Sequence, residues 1–277
     1  MEPFGTRLRS ALDRLGPLCV GVDPHPGLLA RWGLADDTDG LARFSGAVVE
    51  ALAGRVAVIK PQSAFFEKYG SRGIAILEST IRQCREAGSL VLLDVKRGDI
   101  GSTMTAYATA YLDPASPLCA DALTVAPYLG VGALQPVFAA ARAAGGGVFV
   151  LALTSNPEGA AVQHARAADG RTVAQTVIDD IAQLNAGVTP LGSMGLVVGA
   201  TIGDTGHELT NFNGPILAPG MGAQGGTAAG LRNVFGDALS AVLPSYSREV
   251  LGAGPGVAAL RAAADRVRDD CAAVLRG

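Results

Sequence analysis

Eight short apolar runs punctuate the chain: LCVGV (18–22), VAVIK (56–60), SLVLLDVK (89–96), ALTVAP (122–127), GVFVLALTS (147–155), MGLVVGA (194–200), GPILAPG (214–220) and ALSAVLPSYS (238–247). Near-continuous runs of Val, Leu and Ile this short, bounded by Gly, Pro or polar residues, predict strands buried on both faces. Between most of them lie Ala-rich, charge-studded stretches with helical spacing, among them LARFSGAVVEALAG, SRGIAILESTIRQCREAG, GALQPVFAAARAAG and RTVAQTVIDDIAQLNAG. Strand and helix in alternation predict parallel pairing with right-handed crossovers, and eight such units close naturally into a (β/α)8 TIM barrel. An open doubly wound sheet is the runner-up. It usually carries GxGxxG after its first strand, where this chain instead runs from LCVGV into DPHPG. Two connections are unusual: NPEGAAVQHARAADG (156–170) is long, and TIGDTGHELTNFNG (201–214) barely leaves room for a helix. No linker or charge block interrupts the pattern, so residues 1–277 are expected to form a single barrel domain.

Composition narrows the partners. With 49% hydrophobic and 17% charged residues the chain suits a large core and not a disordered one. A net charge of −3 offers no electrostatic reason to expect nucleic acid, although a local basic site for a small anion is compatible with it. No window reaches the run of about eighteen apolar residues that spans a bilayer, and the N-terminal stretch lacks the apolar core of a signal peptide. A soluble, cytoplasmic protein without a membrane partner is expected. Cys19, Cys84, Cys119 and Cys271 are far apart with no CxxC pair, so reduced thiols are expected and a zinc site is not. His25, His164 and His207 are isolated, the His207–Glu208 pair lacks the second histidine of a zincin, and GxSxG is absent, which gives metal hydrolysis and serine catalysis little support.

The candidate chemistry lies at the carboxyl ends of the strands, the face on which barrels build active sites. The groups there are Asp23, Lys60, Asp94 with Lys96, Ser155, the loop PGMGAQGG (219–226) and Arg248. Asp94 and Lys96 are two apart on one strand and so are expected to point to one side. A single charge at a strand end is most often a solvated rim residue; the combination is harder to explain so. Carboxylates bracketing a lysine oppose the loss of its proton on burial, since one charge pair at ~4 Å is worth roughly 4 kcal/mol at an effective dielectric of ~20. Lys96 is therefore expected to be an ammonium and a proton donor, not a Schiff-base amine. Gly220, Gly222, Gly225 and Gly226 let the loop after the seventh strand turn amides toward an anion, and the eighth strand delivers Arg248 to the same corner, where barrels commonly bind phosphate.

DVKRGD, with Asp94, Lys96 and Asp99, resembles the DxKxxD signature of the orotidine 5'-phosphate decarboxylase family. GVDPHP is similar to that family's first-strand motif, KPQSAFFEKYG to the second-strand lysine segment of its longer bacterial subgroup (type 2), TSNPEG to its fifth-strand serine segment, and APGMGAQGG with Ser247–Arg248 to its phosphate loop and arginine. The resemblance covers most of the chain. It implies a cofactor-independent carboxy-lyase that converts orotidine 5'-phosphate to UMP in pyrimidine biosynthesis, acting as a homodimer. It further implies that Asp23 and Lys60 contact the ribose and that Lys60, Asp94, Lys96 and Asp99 form an alternating charge array in which Lys96 protonates C6. Asp99, with Ile100 and Thr103, would be supplied to the partner's site. Ser155 would bind the pyrimidine, Gln224 and Arg248 the phosphate, and Pro219 would begin a mobile loop. Two rival readings are a Mg-dependent sugar-phosphate decarboxylase or aldolase of the same barrel superfamily, which would need a glutamate ligand where this chain has Lys60, and a non-catalytic sensor of phosphate ligands.

Overall fold

The computed structural model describes residues 1–275 and contains a closed barrel of eight parallel strands in sequential order. The strands are β1 Cys19–Val22, β2 Val58–Pro61, β3 Leu90–Arg97, β4 Ala122–Val125, β5 Gly147–Leu153, β6 Met194–Val198, β7 Ile216–Pro219 and β8 Val242–Tyr246, with β8 pairing back onto β1. Each coincides with one of the apolar runs, β2 and β3 extending one residue past theirs. The last run is the least faithful: residues 236–241 form a 3-10 helix whose Ala238 and Leu239 are buried, so this apolar stretch packs without joining the sheet. Helices Thr38–Leu52, Gly70–Glu86, Gln135–Ala144 and Val173–Leu184 match the periodic stretches. The first two pack side by side, and Phe44, Val48, Leu52, Leu77 and Ile81 are buried in the layer between helices and sheet.

The two unusual connections meet each other. No helix forms between β6 and β7, while the segment after β5 makes two short helical turns, 157–159 and 160–163, before the helix that starts at Val173. The rings of His164 and His207 lie 5.5 Å apart, and at the start of the helix that follows, Thr172 Oγ1 lies 2.8 Å from His207 Nε2 and the Glu208 amide donates to Gln175 Oε1 at 2.9 Å.

The inward side chains explain where the site can form. Strand side chains alternate, so residues two apart share a face. Cys19, Val58, Leu92, Ala122, Leu217 and Leu243 belong to one apolar cluster inside the barrel. Two residues further along the same strands stand Gly21, Lys60, Asp94, Thr124, Pro219 and Ser245. Below the apolar ring the amphipathic helix Phe4–Leu15 acts as a plug: Phe4, Leu8 and Leu12 join the cluster, and the Phe4 ring meets Phe149 edge-on at 5.9 Å. A Cβ on Gly147 would stand 2.4 Å from the Phe4 ring, so the plug needs a glycine at that spot. The barrel is closed at its amino end and polar at its carboxyl end.

Candidate active site

A cavity of about 400 Å³ opens at the carboxyl ends of the strands. Leu151, Val197 and Leu217 form its apolar base; Asp23, Lys60, Asp94 and Lys96 line one part, and Pro219, Gly220, Gln224 and Arg248 another. The charged residues are connected. Lys96 Nζ donates to both Asp94 oxygens at 2.7 Å, and Lys60 Nζ to Asp94 Oδ2 at 3.3 Å. The Thr124 hydroxyl donates to Asp94 Oδ1 at 2.7 Å. Burial by itself would raise the Asp94 carboxyl, but Lys60 and Lys96, with their hydrogen bonds and that of Thr124, outweigh it and hold the group down at about 2. Burial likewise works against the charge on Lys60, and Asp94 followed by Asp23 overcomes it, so its pKa is raised. Asp94 is thus a carboxylate and Lys60 an ammonium at neutral pH, although both side chains are only 7% exposed.

Simple alternation does not bring Asp94 and Lys96 together. Leu93 pairs with Leu123 but Arg97 with Val125, so Asp94, Val95 and Lys96 stand opposite the single residue Thr124. Lys96 has φ +46°, the sole non-glycine residue with positive φ among those described. Such a bulge re-aims a side chain, and a non-glycine residue held in this region costs roughly 1–3 kcal/mol.

The glycine loop uses much of its backbone on itself. The amides of Gly222, Gly225 and Gly226 donate to the carbonyls of Gly226, Gly222 and Gly220. The amides of Met221, Ala223 and Gln224 have no partner among the described residues, and all three of these residues line the cavity. The glycines therefore shape the loop, and the residues between them face the cavity. Gly220, Gly222 and Gly225 have φ of +99°, +65° and +98°, which L side chains rarely adopt.

Other sequence candidates stand outside the cavity. Asp99 folds onto the amide of Ile100 at 2.8 Å, and Ile100 and Thr103 are exposed at the start of the helix Gly101–Leu112. Ser155 is exposed just beyond β5, and its neighbour Thr154 lines the cavity instead. Sequence reasoning gave no role to Thr154, His25, Gln62, Ser245 and Ser247, all of which line it. The strand-end rule that picked out Asp23 and Lys60 applies equally to these less conspicuous residues. Asp23 Oδ1 and Ser247 Oγ are buried without a hydrogen-bond partner, which leaves two polar atoms for a molecule in the cavity. A larger groove of about 760 Å³ near the amino ends of β3 and β4 has a different character. Its Arg7 and Arg85 are paired with Asp121 at 2.6 and 3.5 Å, and none of the strand-end charges reaches it.

Comparison with known proteins agrees with this geometry. A model of the "Orotidine 5'-phosphate decarboxylase / HUMPS family" matches residues 16–263. A protein of Salinispora tropica named orotidine 5'-phosphate decarboxylase is 74% identical over 277 residues, the full length of both chains. Another of that name from Streptomyces coelicolor is 62% identical over 96% of each chain. A crystal structure from Streptomyces avermitilis, 59% identical, superposes with a TM-score of 0.98 over 100% of this chain and 97% of that one. The structure of Leishmania donovani OMP decarboxylase, 30% identical, gives 0.78 over 99% of each. With the match spanning nearly all of the barrel, this chain belongs to the orotidine 5'-phosphate decarboxylase / HUMPS family.

Proposed function

We propose that the chain decarboxylates orotidine 5'-phosphate to UMP and carbon dioxide, a step of pyrimidine biosynthesis, without a cofactor. The observation that carries this reading is the Lys60–Asp94–Lys96 array at the mouth of the cavity, in a chain whose near full-length relatives bear that enzyme's name. When the bond from C6 to the carboxylate breaks, its electron pair stays on C6 in an sp² orbital that the ring cannot delocalise. A fixed ammonium beside C6 stabilises that charge as it develops and then supplies the proton. Lys96 is suited to this: its Nζ is anchored on Asp94 and its side chain is 43% exposed toward the cavity. Solvent reprotonates the amine after turnover. Asp23 and Lys60 bind the ribose; Ser155, outside the cavity as the loops stand, binds the pyrimidine once they close; Gln224 and Arg248 bind the phosphate. That remote binding closes the loop that begins at Pro219 and excludes water from the reaction. The sugar-phosphate reading is not favoured: a buried ammonium at Lys60 repels the divalent ion it requires.

The active unit in this reading is a cytoplasmic homodimer, each chain one catalytic domain. Asp99 lies outside its own chain's cavity, and exposed Ile100, Tyr128 and Leu129 follow β3 and β4 beside it, a surface suited to a second copy. Mixing Lys96→Ala with Asp99→Ala protein then regains activity through one intact hybrid site. No recovery despite subunit exchange counts against sharing.

The function itself is tested by the ultraviolet change on adding orotidine 5'-phosphate to purified protein in excess EDTA. Conversion by the wild type and not by Lys96→Ala is expected. A folded wild-type protein that leaves the substrate intact overturns the reading.

A further inference from the structure

The bulge at the end of β3 depends on one side chain. Thr124 Oγ1 accepts hydrogen bonds from the amides of Val95 at 3.0 Å and Lys96 at 2.9 Å, and donates its own proton to Asp94 Oδ1 at 2.7 Å. All three residues of the bulge are tied to a single oxygen. The strand cannot supply these bonds from its backbone, because three residues there oppose one. Thr124 is 1% exposed and does not line the cavity. Its hydroxyl has one proton to donate and two lone pairs to accept, and all are used.

We propose that Thr124 is a positioning residue for proton delivery: its hydroxyl holds Lys96 in the left-handed conformation and orients Asp94, so that the ammonium stands at a fixed place above the barrel interior. Without it, two amides lose their partner and Asp94 Oδ1 loses one of its two donors. The backbone at Lys96 then relaxes toward negative φ, which turns the side chain away from the cavity. The hydroxyl acts on Lys96 and Asp94 and touches no substrate, so its loss lowers the rate of the chemical step far more than it weakens binding.

The inference rests on the decarboxylase reading, and the experiment separates the two. Thr124→Val keeps the shape and removes the hydroxyl; Thr124→Ser keeps the hydroxyl and removes the methyl group; Thr124→Cys matches the serine variant in outline but is a weak hydrogen-bonder. Turnover of orotidine 5'-phosphate is measured for all of them, and crystal structures are determined for the wild type and the valine and cysteine variants. Thr124→Val is expected to lower kcat by roughly 10- to 100-fold with KM changed less than about threefold, the signature of an interaction that matters in the transition state. Thr124→Ser recovers most of that loss, and Thr124→Cys does not. The acid limb of the kcat/KM profile moves to higher pH in Thr124→Val, since Asp94 loses a hydrogen bond that favours its charged form. Lys96 is expected at negative φ in the variant crystals.

Unchanged kcat, or equal loss in the serine and cysteine variants, overturns the proposal. So does a left-handed Lys96 still seated on Asp94 in the valine variant. If the valine variant does not fold, the serine–cysteine pair decides alone. A wild type without turnover removes the decarboxylase reading, and the crystal structures still decide whether Thr124 sets the conformation of Lys96.

Discussion

Two rings of side chains, one strand step apart inside the barrel, have opposite chemistry. The lower ring is apolar and sealed from below by the helix that carries Phe4, Leu8 and Leu12; the upper ring holds Lys60, Asp94, Thr124 and Ser245. Both rest on the same strands and the same two-residue period. The difference is that the lower ring excludes water and fixes the strands, so the upper ring can hold charges in a set geometry without solvent reaching them from beneath. Stability resides mainly in the first, chemistry in the second.

That division can be broken by experiment, beginning with the largest effect. Lys96→Ala is expected to reduce kcat by roughly 10⁴-fold or more, as both proton donor and fixed charge are lost, while the melting temperature shifts little; pre-steady-state and steady-state turnover assays read this. Phe4→Ala is the converse. It should cost about 3–5 kcal/mol of stability in urea unfolding and leave kcat of the folded protein within about twofold, and a large fall in kcat would deny that the floor is merely structural. Arg248→Ala is expected to lower kcat/KM by roughly 100-fold by removing a charge-assisted hydrogen bond to phosphate, with a much smaller effect on a substrate lacking the phosphate.

The smallest effect is a pH dependence of stability. The Asp94 carboxyl lies at about 2 in the fold against its ordinary value of 3.8, so its contribution is present above about pH 4 and is lost as pH falls through 2. It amounts to roughly 2 kcal/mol. The gap in unfolding free energy between wild type and Asp94→Asn should therefore narrow between pH 4 and 2. A gap that stays constant over that range would show that the charge pairing adds no net stability.

The strands were legible in the sequence because parallel strands buried on both faces leave apolar runs with turn residues at their ends. The same signal misled at residues 238–241, where Ala238 and Leu239 are buried in a 3-10 turn; burial writes the same letters whether or not a residue joins the sheet. Asp94 and Lys96 stood out as charges at the end of an apolar run, but the bulge that brings them together was invisible. It is fixed by Thr124, almost thirty residues away, and within ALTVAP a threonine reads as an ordinary strand former. The glycines after β7 gave away a shaped loop but not that most of its glycine amides bond within it. The plug helix likewise went unassigned, since an amphipathic period states that a face is covered and not what covers it.

The plug has a consequence for how the protein is made. The Gly5 amide donates to Ser193 Oγ, a partner 188 residues later, and the Phe4 ring waits for Phe149. At synthesis rates of ~5–20 residues per second, about 10–40 s separate the emergence of this helix from that of Ser193. Through that interval the helix carries an uncovered apolar face, and its docking is among the later steps of assembly.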